Sequence, residues 1–129
     1  MDSKPKDISP DVRELLKKLK ARPAVFLGNE NISKFAAFID GINIYRLFFD
    51  KDSERVFIPD GFNEYVAERY GICQTPLDSF GLVQKDEPDE SAALFKWFDL
   101  LDEYLISLGY ELLGKREDIL EELRNKTVK

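Results

Sequence analysis

Residues 91–109 read SAALFKWFDLLDEYLISLG, and this stretch decides the fold. Leu94, Phe98, Leu101, Leu105 and Leu108 recur at the helical period as one stripe, which Phe95, Trp97 and Tyr104 widen. Gly109 closes the segment. So broad an apolar face has to be covered by other elements, which makes this helix the longest amphipathic member of a packed domain.

Upstream, Asn31 is a cap for a helix through Phe49, with Ile32, Phe35, Phe38, Ile39, Ile42 and Tyr45 in period. This reads as the central core helix. Gly41 inside it costs about 1 kcal/mol relative to alanine, which implies close packing of its backbone against a neighbour. At the start of the chain, Ser9-Pro10-Asp11 supplies a cap, a proline at the first helical position and an acid in the first turn. Val12, Leu15, Leu16 and Leu19 give that helix its apolar side, and Pro23 ends it.

Phe62, Tyr65 and Val66 predict a short helix stopped at Gly71, with Ile72 making the apolar contact beyond it. Thr75-Pro76-Leu77-Asp78 has capping-box spacing and predicts another, carrying Leu77, Phe80 and Val83. Ile119, Leu120 and Leu123 define a last helix over 115–124. The expected architecture is mostly α: a compact single-domain bundle of about five to six helices over residues 9–124. It leaves room for at most one small two-stranded β element, pairing 24–27 with 56–58. A flexible tail at 1–8 and a loose tail at 125–129 flank the domain.

The chain has 129 residues, of which 43% are hydrophobic, so roughly two-thirds of the unfolded surface can be buried in one core. There is no histidine, which excludes Ser-His-Asp and Cys-His catalysis and histidine-ligated zinc. The single Cys73 makes neither an internal disulfide nor a CxxC pair, and fits a reducing compartment. Met1 to Lys6 precede no apolar segment of the kind a secretory signal needs, and no apolar run is long enough to cross a bilayer. A cytoplasmic protein with no membrane partner is expected.

Candidate chemistry is sparse. Asp50-Lys51-Asp52-Ser53-Glu54 alternates acids like a calcium loop, but Arg55 stands where the pattern needs glycine and Gly61 where it needs glutamate. Asp99 and Glu103 lie one helical turn apart, yet opposite the leucine stripe, where water keeps carboxylates ordinary. No phosphate-binding glycine loop or nucleophile elbow is present. The chain is therefore read as no enzyme, with no cofactor and no metal site.

Charge is distributed unevenly. Residues 1–24 hold seven basic side chains against four acidic, whereas 86–122 hold twelve acidic against three basic, within a net charge of −6. Such a balance disfavours nucleic-acid binding, which needs clustered Lys and Arg. Two readings stand: attraction between the basic first helix and the acidic C-terminal helices, or an acidic surface that draws in a basic partner. On the second, Asp86, Glu87, Asp89, Glu90, Asp99, Asp102 and Glu103 are the candidate partner-binding residues.

Arg22-Pro23-Ala24-Val25-Phe26-Leu27-Gly28, then Asn31-Ile32, Phe35, Phe38-Ile39 and Gly41, resemble the opening of a family of small bacterial proteins reading R-P-x-M-Y-L-G, S-I and F-[IL]-x-G-[YF]. Gly61-Phe62-Asn63-Glu64-Tyr65-Val66 with Arg69-Tyr70, and Phe98-Asp99-Leu100-Leu101-Asp102-Glu103-Tyr104, are similar to its later motifs. The likeness spans roughly residues 12–106, with Val25, Phe26, Asn31 and Ile42 departing by substitutions that cores and caps accept. The resemblance implies an immunity protein, of the kind found beside polymorphic or contact-dependent toxins, that binds a cognate toxin domain, in some cases a nuclease, and occludes its active surface. The alternative is a helical interaction or regulatory adaptor without a toxin partner, docking through exposed aromatics such as Trp97, Phe48 or Phe49.

Overall fold

A computed structural model describes residues 4–127, apart from the Thr127 side chain. Among them are seven helices and no strand: α1 (Pro10–Ala21), α2 (Pro23–Leu27), α3 (Ile32–Phe49), α4 (Phe62–Arg69), α5 (Ser79–Asp86), α6 (Glu90–Ser107) and α7 (Arg116–Thr127). The mostly α expectation holds.

The centre of the fold is α6, with Leu94, Trp97, Phe98, Leu101 and Leu105 wholly shielded from water. Helices α3, α4 and α5 pack against it, and α1 is held between α2 and α7. The indole of Trp97 stacks on Phe80, with centroids 5.0 Å apart, and meets Phe35, Phe62 and Phe98 edge-on. Its Nε1 donates to the buried Ser79 Oγ at 2.9 Å, so the one polar atom of the ring is satisfied. Trp97 is thus core, and the reading of it as an exposed docking aromatic is corrected.

The β element is absent as well. Residues 24–27 form the single turn of α2, because Pro23 is preset for a first helical position and Gly28 closes the turn. Val56 pairs elsewhere: Ser9 donates its backbone N–H to the Val56 carbonyl at 3.0 Å, and the Ser9 hydroxyl accepts from Val56 N–H at 2.7 Å. The serine expected to cap α1 therefore anchors the α3–α4 loop.

Helix α5 starts at Ser79, three residues beyond the expected Pro76. Thr75 Oγ1 accepts locally from Leu77 N–H, while Asp78 caps the helix through Gly81 N–H at 2.9 Å. The end of α4 follows the expected pattern, with Gly71 at φ 70° and Ile72 N–H returning to the Ala67 carbonyl.

The tails are shorter than expected. Ile8 is 3% exposed and belongs to the core, and Tyr110 donates its hydroxyl hydrogen to the Pro5 carbonyl at 2.7 Å. Helix α7 runs on to Thr127 because Lys17 pairs with Glu122 and Glu14 with Lys126 along it. Residues 1–3 and 128–129, the ends of the two expected tails, lie outside the described residues. No helix among the described residues is long and apolar enough to cross a membrane.

Candidate protein-binding surface

The seven carboxylates proposed from sequence do not form one free acidic face. Asp102 is the clearest case. Its Oδ2 takes the Lys20 ammonium at 3.0 Å, and its two oxygens accept from Leu113 N–H at 2.7 Å and Gly114 N–H at 3.3 Å. The Lys20 side chain is 5% exposed and that of Asp102 13%, so the pair faces inward. Asp102 is removed from the docking set, since a carboxylate turned inward and neutralised by a buried ammonium has little charge to present.

Glu90 is also in use. It accepts from Ser33 Oγ at 2.7 Å, Ser33 N–H at 3.2 Å and Gln84 Nε2 at 2.7 Å, tying α6 to the open N-terminus of α3. Asp89 caps α6 through Ala92 N–H at 2.9 Å, and Glu87 accepts from Asp89 N–H. Asp86 and Asp99 are exposed. They sit at opposite stretches of the chain, since nine residues of α6 separate Glu90 from Asp99, about 14 Å along the axis.

Glu103 holds the Arg69 guanidinium through both carboxylate oxygens, at 2.9 and 3.1 Å. Those hydrogen bonds hold its carboxyl below the usual range; partial burial opposes them and the Tyr65 hydroxyl assists. A carboxylate with a depressed folded pKa contributes stability above its unfolded value and loses it as pH falls through the folded one. The Glu103→Gln variant is therefore expected to show a shallower fall in melting temperature than the parent between about pH 5 and pH 3. Parallel acid limbs would show that this exposed bridge contributes nothing.

Among the described residues, two of the twelve acids of residues 86–122, Asp102 and Glu122, form ion pairs with the basic first helix. Besides Lys17–Glu122 and Lys20–Asp102, Arg13 donates to the Glu111 carbonyl, and Arg116 bonds both the Ala21 carbonyl and Glu30. These contacts help close the fold, and among the described residues they leave most of the acids of residues 86–122 without an ion-pair partner on α1.

Phe48 and Phe49 are exposed as the sequence suggested, but Tyr45, expected in the core row, is exposed with them, and sequence reasoning missed the extent of this second side of α3. Its buried residues, Ile32, Phe35 and Ile39, all lie in the first half of the helix. The second half projects, leaving Ile44 58%, Tyr45 60%, Leu47 66%, Phe48 63% and Phe49 76% exposed. Ala37, Gly41, Ile44, Tyr45 and Phe48 share one outward face at i, i+4, i+7, i+8 and i+11. Beyond it the Tyr45 and Phe49 rings touch, with centroids 5.3 Å apart.

Gly41 is exposed on that face, and a Cβ added there meets nothing within 4 Å. The expected close packing against a neighbour does not exist within the chain. Gly41→Ala should then raise the stability of the isolated protein by about 0.5–1 kcal/mol, the helix-propensity difference. A urea midpoint that moves down would reveal a constraint on that backbone.

Along the flank of α3 runs an open cleft of about 470 Å³ between α3, the residue 58–61 turn and the starts of α4 and α5. Its charged lining is Asp40, Asp60, Glu64 and Asp78, with no lysine or arginine. Burial, and then the charges of Glu64 and Asp60, push the Tyr104 phenol upward. A larger cleft of about 700 Å³ has Lys4, Lys6, Arg46 and Arg55 in its lining together with Glu54 and Asp60, the last shared with the acidic cleft. There Arg55 is paired with Asp11 at 2.7 Å, Arg46 lies over Phe57 and bonds the Arg55 carbonyl, and Lys4 lies over Tyr110.

Among the described residues no group of three or more His, Cys, Asp or Glu is placed to hold a metal ion, and Cys73 is exposed. Compared with known protein families, curated proteins and solved structures, the chain matches none.

Proposed function

We propose that this chain is a bacterial immunity protein that binds a cognate toxin domain in the cytoplasm and neutralises it by covering its active surface. One observation carries the reading: five large apolar side chains, Ile44, Tyr45, Leu47, Phe48 and Phe49, stand exposed together on one helix end. They present roughly 600 Å² of surface, whereas a standard interface takes about 800 Å² from each partner. The exposed area is at the upper end of the largest apolar patch an ordinary monomer exposes, and such patches often serve binding.

The resemblance to toxin-associated proteins supplies the class of partner, and the net charge of −6 supports a basic one. A nuclease groove built for phosphate would be attracted by such a field. Docking is assigned to the α3 end and its acidic flank in place of the α6 carboxylates, of which Glu90, Asp102 and Glu103 already have partners within the chain.

The test is co-expression with the toxin domain encoded beside this gene. Restored growth, and an equimolar complex in which the toxin is inactive, is the expected result. A toxin that kills and turns over unimpeded in excess of this chain would remove the reading. An adaptor would use the same apolar surface, and would leave that toxin active while holding another protein.

A further inference from the structure

From the α3 face we infer its occupant: a protein surface presenting apolar side chains flanked by arginine or lysine, with a basic side chain entering the acidic cleft beside Asp40. The inference deepens the function proposed above and rests on it for the identity of the partner.

The argument begins with the helix itself. A helix apolar on one side is a surface helix, and one apolar on both sides is covered on both. Helix α3 is apolar on both, with Phe35 and Ile39 turned to the core and Ile44 and Phe48 turned to water. Between them the exposed Gly41 and Ala37 leave the backbone open, so that an incoming helix or loop can approach it closely. Phe48 and Tyr45 stand up beside this low ground.

Charge selects what fills it. Asp40 lies on α3 at the edge of the apolar face, and from it the cleft continues to Asp60, Glu64 and Asp78. Asp40, Asp60 and Glu64 are exposed and form no ion pair among the described residues. Asp78 caps α5 through one oxygen only. An arginine entering there would meet a lining that holds four carboxylates and no cation, the lysines and arginines of the larger cleft lying beyond Asp60, which borders both.

A second copy of the chain fits less well. It would bring the same carboxylates and a charge of −6, and near the outward face of α3 the cations are Lys34 in its first turn and Lys51 in the turn beyond its end. Like charges across an interface reject a partner, as this surface would reject its own.

Two arms test this. In the first, the catalytically inactivated toxin domain encoded beside this gene is titrated calorimetrically against three folded variants. Ile44→Asp/Phe48→Asp should weaken binding by about 100-fold or more, as loss of a central anchor does. Asp40→Asn/Glu64→Gln should weaken it about tenfold and flatten its salt dependence. Asp86→Asn/Asp99→Asn should bind like the parent. If the parent binds tightly and the first two variants bind equally well, the inference falls while the proposed function stands.

The second arm needs no toxin. A synthetic amphipathic helix of about 20 residues, with a leucine face flanked by arginines, is compared with a twin carrying glutamates. The arginine peptide should bind at least about tenfold more tightly and shift the amide signals of Gly41, Ile44, Phe48, Gly61 and Glu64. Equal binding of both peptides, or shifts confined to other helices, overturns the inference whatever the toxin does. So does sedimentation showing a dimer that Phe48→Asp dissolves, since the occupant is then a second copy.

Discussion

Replacing Asp102 by alanine is expected to remove about 3–5 kcal/mol of folding stability, whereas Asp99→Ala, one turn earlier on α6, should change it by less than about 0.5 kcal/mol. The difference follows from what each carboxylate touches. Asp99 is exposed. Asp102 neutralises the nearly inaccessible Lys20 ammonium and accepts from two backbone N–H groups of the 113–114 turn. Without it, a buried cation keeps only the Gly114 carbonyl, and two donors lose their acceptor. The turn itself then loosens, and with it the Leu113 side chain that it presses into the core.

Desolvating an ion pair costs energy, so its value lies in not being broken. The double variant Lys20→Met/Asp102→Leu should recover only the part that comes from the stranded ammonium, since the Leu113 and Gly114 N–H groups still lack their acceptor. Chemical denaturation of the four proteins settles the point. If Asp102→Ala unfolds at the same urea concentration as Asp99→Ala, the pair is a surface bridge in effect and the account above is wrong. It follows that reversing Asp99, Asp102 and Glu103 together to lysine would unfold the chain and report nothing on partner binding.

This pair marks the boundary of what the sequence makes legible. One helix start set by local chemistry could be read: Asn31 does cap α3 through the N–H three residues on, whereas Ser9 and Thr75 bond elsewhere and Asp89, read as a docking carboxylate, caps α6. So could the leucine stripe of α6. Lys20 and Asp102 are 82 residues apart, and no periodicity announces that a lysine near the end of one helix will meet an aspartate in the middle of another.

Periodicity fails on α3 for a different reason. A pattern of 32, 35, 39 and 42 predicts one buried side, and Phe48 and Ile44 continue as a second apolar row that is equally helical in spacing. Which row is covered depends on where α5 and α6 end, and they cover only the first half of the helix. The acidic cleft is less visible still, because Asp40, Asp60, Glu64 and Asp78 come from α3, the α3–α4 turn, α4 and the cap of α5. Composition points to an acidic protein that favours basic partners, and the tertiary fold alone chooses the carboxylates left free.

Trp97→Ala should be the other severe lesion, at about 3–5 kcal/mol, enough to unfold a marginally stable domain at ambient temperature. The indole is where four helices meet: Phe35 from α3, Phe62 from α4, Phe80 from α5 and Phe98 beside it on α6 all lie within 5.4 Å centroid to centroid. Deleting it leaves a void that rings from separate helices cannot close together, since each is fixed by its own backbone. It also strands the buried Ser79 hydroxyl at the first turn of α5, whose backbone N–H is held by Asn63 Oδ1 at 2.8 Å. Trp97→Phe separates the two effects. It keeps an aromatic in the cluster but loses the Nε1 hydrogen bond and part of the volume, and should cost about half as much. If Trp97→Ala stayed folded with an unchanged denaturation midpoint, α6 would not be the organiser of this fold. The exposed end of α3 would then lose its rigid support, since α3 is anchored through Phe35 on that same indole.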